Sequence, residues 1–203
     1  MAKLERAYHE SGVYLARVWA TNSDVAVTEH VRAILRALDR GLAEHAGKDL
    51  VDALVQAYAR PALLVPPAFD GAAKPALERL RADGITLALI ANTMRTPGVT
   101  LRTIMDRAGL LECFAHTTFS DEVGVRKPAP EIFQRTLESI GADSGSAVHV
   151  GDDPVLDVAG ARAAGLRVIQ VVGGGKRMAA VRADLAITEL GELPAAIRSL
   201  AMD

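Results

Sequence analysis

The sequence predicts an α/β protein, a parallel sheet between two helical layers, with a small all-helical region ahead of it. Two observations predict this. From Asp70 onward, short apolar runs alternate with helix-length amphipathic stretches, and strands separated in this way form parallel sheets covered on both faces. Residues 1 to about 65, by contrast, carry only helical periodicity. Half of the 203 residues are apolar, enough for one ordinary core with a small insertion.

Leu4, Tyr8, Leu15 and Trp19 recur at roughly helical spacing and open the chain. Gly12 to Ala20 is also rich in β-formers and reads equally well as a strand. A second helix is spelled by Val27, Val31, Ile34, Leu35, Leu38 and Leu42, with Ser23 or Asp24 as its cap. Leu50, Leu54 and Tyr58 share a face of a third. Pro61, Pro66 and Pro67 then end the helical region and mark a linker, giving domains at 1–65 and 66–203. The second region reads as helix 72–82, strand Ile85–Ala91, helix 98–108, strand 114–118 and helix 129–140. Strand Ala147–Val150, helix 154–164 and strand Arg167–Val172 follow. A last apolar piece, Ala183–Ile187, precedes a C-terminal helix.

Composition narrows the function. A net charge of −2 with both signs mixed argues against nucleic acid or an anionic membrane as partner. No apolar run approaches a membrane span, and the first residues lack the apolar core of a signal peptide. The single cysteine, Cys113, excludes an intramolecular disulfide and fits a reducing compartment, so a cytoplasmic protein is expected.

In open parallel sheets, ligands bind beyond the carboxyl ends of the strands. The first such end carries Asn92 and Thr93, which can contact a phosphate oxygen or simply be polar turn residues. The second leads into Ser120-Asp-Glu-Val-Gly-Val-Arg-Lys127-Pro, where Pro128 holds Lys127 extended and starts a helix. Its ammonium can then offset the charge of a phosphate and of nearby carboxylates. The third carries Gly151-Asp152-Asp153, with Asp157 five residues after Asp152. Carboxylates are hard oxygen ligands suited to magnesium. Asp153 reads equally as a metal ligand or as a helix cap. His116 and His149 read as packing or capping residues and Cys113 as a small buried one.

Taken together, the motifs resemble those of the haloacid dehalogenase-like (HAD) hydrolase superfamily, mostly magnesium-dependent phosphatases with some dehalogenases and phosphotransferases. The resemblance runs from about residue 68 to the end. It rests on the ordered set strand–Asn92-Thr93, Arg126-Lys-Pro-x-Pro-x-Ile-Phe133 and Val150-Gly-Asp-Asp-x-x-x-Asp-x-x-Gly-Ala-x-x-Ala-Gly165. It implies a three-layer Rossmann-like core with a helical cap in residues 1–65, and a small phosphorylated molecule as substrate. Lys127 would be the site lysine. Asp152 would be a Mg2+ ligand, joined by Asp153. Asp157 would support the lysine or the metal, and Asn92 and Thr93 would contact phosphate.

Two departures stand out. Where the family places serine or threonine before asparagine, this chain has Ala91. The family's nucleophilic Asp-x-Asp-x-Thr motif, at the end of a first and central strand, is absent; the nearest match, Asp24-Val-Ala-Val-Thr28, has alanine in place of the acid–base aspartate. That strand is therefore expected to be missing, leaving strands 85–91 and 147–150 facing an empty slot. Three readings follow in order. The first is a phosphatase of small phosphomonoesters whose nucleophile strand lies outside these residues. The second is a non-catalytic binding relative, and the third a carbon–halogen hydrolase.

Overall fold

The computed structural model describes residues 2–173 and 181–201. Its contacts divide the chain into two compact units. The first comprises Met1–Pro67, Asn92–Ile104 and Phe119–Arg126; the second comprises Ala68–Ala91, Met105–Thr118 and Lys127–Asp203.

Residues 2–67 of the first unit carry four helices. α1 spans Ala2–Trp19, so the strand reading of Gly12–Ala20 is overturned. Its buried face is Ala7, Ser11 and Leu15. Leu4 and Tyr8, expected to pack, are exposed. The small side chains of Ala7 and Ser11 let the α1 backbone lie close to its neighbour, and a helix has only one such stripe to bury. α2 (Val27–Leu38) begins after Ala26 without a side-chain cap, so neither Ser23 nor Asp24 caps it. It also stops short of Leu42. Asp39 is extended and its carboxylate accepts from the Gly41 N–H at 2.7 Å, starting a separate helix, α3 (Arg40–His45). Leu42 is consequently exposed. α4 (Lys48–Leu64) runs through Pro61 rather than ending there. The Val65 N–H donates to the Pro61 carbonyl at 2.9 Å, closing the last turn. Proline removes a donor and leaves its own carbonyl intact. Val31, Leu35, Ala43, Ala46 and Val51 form the core, with Leu54, Val55 and Tyr58 packed against it.

The elements that follow are α5 (Ala73–Ala82), β1 (Ala88–Ala91), α6 (Gly98–Arg107), β2 (His116–Phe119), α7 (Ser120–Val123), α8 (Pro130–Ile140) and β3 (Val148–Gly151). A wide turn at Pro154–Ala159 then leads into α9 (Gly160–Ala163), β4 (Arg167–Val171), β5 (Leu185–Ile187) and α10 (Leu193–Ala201). β1 is shorter than the apolar run that predicts it. The Ile85 N–H donates to Leu80 at 3.0 Å, so this end of the run closes α5 instead of pairing.

The strands form two sheets. β3, β4 and β5 are parallel, with Val148 opposite Arg167 and Ile169 opposite Leu185. β1 pairs with β2. Among the described residues β1 and β3 are not neighbours. In the second unit, Leu80 of α5, Ile169, Ile187 and Leu193 and Leu200 of α10 make one apolar layer. Ile132 and Phe133 of α8, Val158 and Ala161 are fully buried as well. The architecture is the Rossmann-like α/β fold expected from the sequence.

Candidate active site

The second unit gathers Lys127, His149, Asp152, Asp153 and Asp157. Beyond β3 the chain passes Gly151, and the wide turn returns the Asp157 side chain over it. The N–H groups of Asp157 and Val158 both donate to the Asp153 carbonyl, at 3.0 and 3.1 Å. This widened turn lets Asp157 Oδ2 accept from the backbone N–H groups of Asp152 at 3.1 Å and Asp153 at 3.0 Å. Oδ1 takes Lys127 Nζ at 2.5 Å and His149 Nε2 at 3.0 Å. Gly151 is required here, because a Cβ at that position would overlap the Asp157 side chain. Gly160 is required for a different reason: a Cβ there would stand 2.9 Å from the backbone of Pro128, which follows Lys127.

Asp157 and Lys127 are both largely enclosed, with side chains 5 % and 12 % exposed. Burial by itself would raise the Asp157 pKa. The hydrogen bond from His149 and the charge of Lys127 outweigh it, and the carboxyl stays well below the usual range. Asp157 is thus a fixed negative anchor with every lone-pair direction occupied, and it orients the lysine. His149 also packs its ring edge-on against Phe133, at 5.0 Å between centroids. The sequence suggested only packing or capping for it; its hydrogen bond to the anchor has no local signal.

Asp153 Oδ1 accepts from the N–H groups of Val155 and Leu156, both at 2.8 Å, which is the cap geometry. Its second oxygen is not used in that cap. Asp152 is exposed at the strand end. Among the described residues no group of three or more His, Cys, Asp or Glu side chains is placed to hold a metal. Two adjacent carboxylates nevertheless suit Mg2+, which commonly takes one or two protein carboxylates and completes its shell with water and substrate phosphate.

The first unit holds Asn92 and Thr93. The Thr93 N–H donates to Ser120 Oγ at 2.8 Å, and its hydroxyl lies 3.1 Å from the same oxygen and accepts from the Asp121 N–H at 3.2 Å. Thr93 is 1 % exposed. Asn92 is half-buried. Close by is Asp24, which the sequence offered as a helix cap and as a distant nucleophile match. Its Oδ1 accepts from Trp19 Nε1 and from the Val25 N–H, both at 2.9 Å. Its Oδ2 accepts from Ser120 Oγ at 2.5 Å and Arg126 Nη1 at 3.2 Å. The Arg126 guanidinium also stacks on the Trp19 ring at 4.5 Å. A carboxylate so fully engaged is a structural latch joining residues 19–24, 93 and 120–126. Ser120 and Arg126 lay inside a run already singled out for Lys127, yet nothing in sequence paired them with Asp24, about a hundred positions away.

The chain is similar to known proteins in sequence and in fold. A family model for haloacid dehalogenase-like hydrolase matches residues 3–165. The chain is 34 % identical over 140 residues to a ribulose-1,5-bisphosphate 5-phosphatase of Halopiger xanaduensis, covering 69 % of this chain and 55 % of that protein. It is 38 % identical over 98 residues to a phosphoserine phosphatase of Thermus thermophilus, covering 48 % of this chain and 38 % of that one. The chain thus spans about half, or less, of the length of these curated relatives. Among solved structures, a 2-haloacid dehalogenase from Pseudomonas syringae pv. Tomato superposes with TM-score 0.73 at 26 % identity, covering 97 % of this chain and 81 % of that one. A HAD phosphatase from Thermococcus onnurineus does so with TM-score 0.62 at 26 % identity, covering 97 % and 89 %. From its motifs, its fold and these matches, the chain belongs to the haloacid dehalogenase-like hydrolase family.

Proposed function

We propose that these residues form part of the site of a cytoplasmic, magnesium-dependent phosphatase acting on small phosphomonoesters. The observation that carries this reading is the Lys127–Asp157 pair at 2.5 Å, beside two carboxylates at the end of β3. The anchor orients the ammonium, which neutralises a transferring phosphoryl group. Asp152 and Asp153 are the proposed Mg2+ carboxylates. The bound ion would supply charge neutralisation and orientation of the phosphoryl oxygens. Asn92 and Thr93 are the proposed phosphate contacts, and residues 1–65 the proposed cap. The two phosphatases among the relatives support the substrate class.

The attacking carboxylate is assigned to a strand outside these 203 residues, since no Asp-x-Asp occurs in them and Asp24 is engaged on both oxygens. The engagement of Asp24 equally favours a second reading, a non-catalytic relative that binds phosphorylated ligands. An assay of the 203-residue chain with an aryl phosphate and magnesium separates them. The phosphatase reading expects little turnover from this chain alone. It expects turnover once the reading frame upstream supplies an apolar strand ending in Asp-x-Asp, and loss of that turnover in Asp152→Asn. An upstream frame without such a strand would leave only the binding reading. Release of halide from a 2-haloacid without magnesium would favour dehalogenation instead.

A further inference from the structure

The loop after β1 carries Asn92 and Thr93 and then Arg95, all in the first unit. Arg95 is half-buried. The central carbon of its guanidinium stands 3.9 Å from the centre of the Tyr8 ring, on α1. Nη1 donates to the Tyr58 hydroxyl of α4 at 3.3 Å, and Nη2 makes a long contact of 3.5 Å with the Tyr8 carbonyl. Among the described residues these are its partners, and none is a carboxylate. By contrast, Arg102 and Arg126 of the same unit are neutralised by Glu122 and Asp24.

The surroundings hold the guanidinium in place. The Tyr58 hydroxyl lies 3.3 Å from His30 Nδ1. Burial keeps both groups neutral, pushing the tyrosine pKa up and the histidine pKa down. The hydroxyl can therefore donate its proton to His30 while it accepts from Arg95. On α1, Gly12 follows Tyr8 by one turn, and a Cβ there would stand 2.8 Å from Arg95 Nη2. Glycine inside a helix costs stability relative to alanine. Here it leaves room for the guanidinium against the helix.

We propose that Arg95, stacked on Tyr8 and braced by Tyr58, is the anion-binding group of a small-molecule site in the first unit, where it receives a carboxylate or phosphate group of the ligand. Three features select an anion. A guanidinium has five N–H donors, and among the described residues two of those on Arg95 are engaged. The rest form a planar fork that matches two oxygens of a carboxylate or phosphate. The charge is half withdrawn from water without a countercharge, so an arriving anion gains more than it would on an open surface. The ring, the hydroxyl and the absent Cβ fix the fork beforehand, which lowers the ordering cost of binding. Tyr8 is 44 % exposed, so the site is open to solvent. The inference concerns the first unit alone and holds whatever reaction the protein performs.

Trp19, the single tryptophan, lies 6.5 Å from His30 between ring centroids, and its fluorescence reports on the site. The full chain is titrated with acetate and, separately, with methylphosphonate, in EDTA and at constant ionic strength. The expected result is a saturable change with at least one of them. The tighter of the two identifies the ligand group as carboxylate or phosphate. Arg95→Met should weaken binding at least about tenfold, the scale of a lost hydrogen bond to a charged group. Arg95→Lys keeps the charge without the fork and should retain part of the affinity. Gly12→Ala should displace the fork and weaken binding while the melting temperature holds or rises, because alanine favours helix. If Arg95→Met fails to fold, Gly12→Ala still decides. Absence of saturation with both anions overturns the proposal. So does unaltered binding in Arg95→Met or Gly12→Ala, or loss of the response in Lys127→Met, which would place the anion in the second unit. None of these readouts depends on turnover, so this proposal and the phosphatase reading fail separately.

Discussion

Replacing Gly151 by alanine would place a methyl group where the Asp157 side chain lies. The carboxylate would have to leave its two backbone donors, and Lys127 would lose its anchor. Loss of function should therefore exceed loss of stability: at most about 2 kcal/mol in urea melts, within the usual range for single substitutions, and turnover of the strand-complete protein down at least about a hundredfold, as for a misplaced site group. Lys127→Met removes one partner of a largely buried pair. Its stability cost should be about 3 kcal/mol, lessened to the extent that His149 compensates. Because the Asp157 pKa is held low in the fold, the stability it confers is complete above the unfolded carboxylate pKa of about 4 and is lost as pH falls below that. In acid titration the stability gap between wild type and Asp157→Asn should start to narrow as pH falls below about 4 and close only well below about pH 3, as the lowered folded pKa is passed. Asp24→Asn gives the opposite pattern to Gly151→Ala. It strips a buried guanidinium of its charge partner, costing about 3 kcal/mol. In a scanning melt, a full melting-temperature loss with phosphotransfer intact identifies a latch. Lost turnover in a stable fold identifies a nucleophile and would refute the latch assignment.

At the scale of elements, α2 carries a pH response. His30 is buried between Trp19 and Tyr58, with Nδ1 3.3 Å from the Tyr58 hydroxyl. Burial holds its pKa below the ordinary value, against an opposing pull from Asp24. As pH falls, the unfolded chain takes up the proton first. The stability contributed by neutral His30 is complete above about pH 6.5 and declines below it, towards the lower folded pKa. Urea midpoints should fall between about pH 7 and about pH 5 in wild type and should be flatter in His30→Phe. A slope unchanged in the variant would assign the effect to another group. The helices also show what periodicity reaches. It located α1, α2 and α4 because each buries a stripe. It missed the break at Asp39, where an aspartate cap competes with helix continuation, and the persistence of α4 through Pro61, where the missing donor falls in the last turn.

At the scale of the whole molecule, magnesium together with inorganic phosphate should raise the melting temperature if Asp152 and Asp153 face a bound ion. A ligand at about a hundred times its dissociation constant adds about 2.7 kcal/mol. The shift should vanish in Asp152→Asn and on adding EDTA; a shift that survives Asp152→Asn would remove that residue from the ligand set. No described helix is long and apolar enough to cross a membrane.

The sequence by itself determined the α/β class, the order of elements and the positions of Lys127, Asp152 and Asp157, because each depends on local periodicity or short spacing. It also marked Gly151 and Gly160 without explaining them. Tertiary structure decided that one glycine makes room for a carboxylate, which the wide turn folds back over it, and the other for the Pro128 backbone, which arrives from elsewhere in the chain. It alone joined Asp24 to Ser120 and Arg126, a contact that no local pattern encodes. The sequence also suggested that two strands would flank a gap. Only the fold showed residues of both strands lining one cavity, because pairing and burial are properties of segments brought together, not of either segment alone.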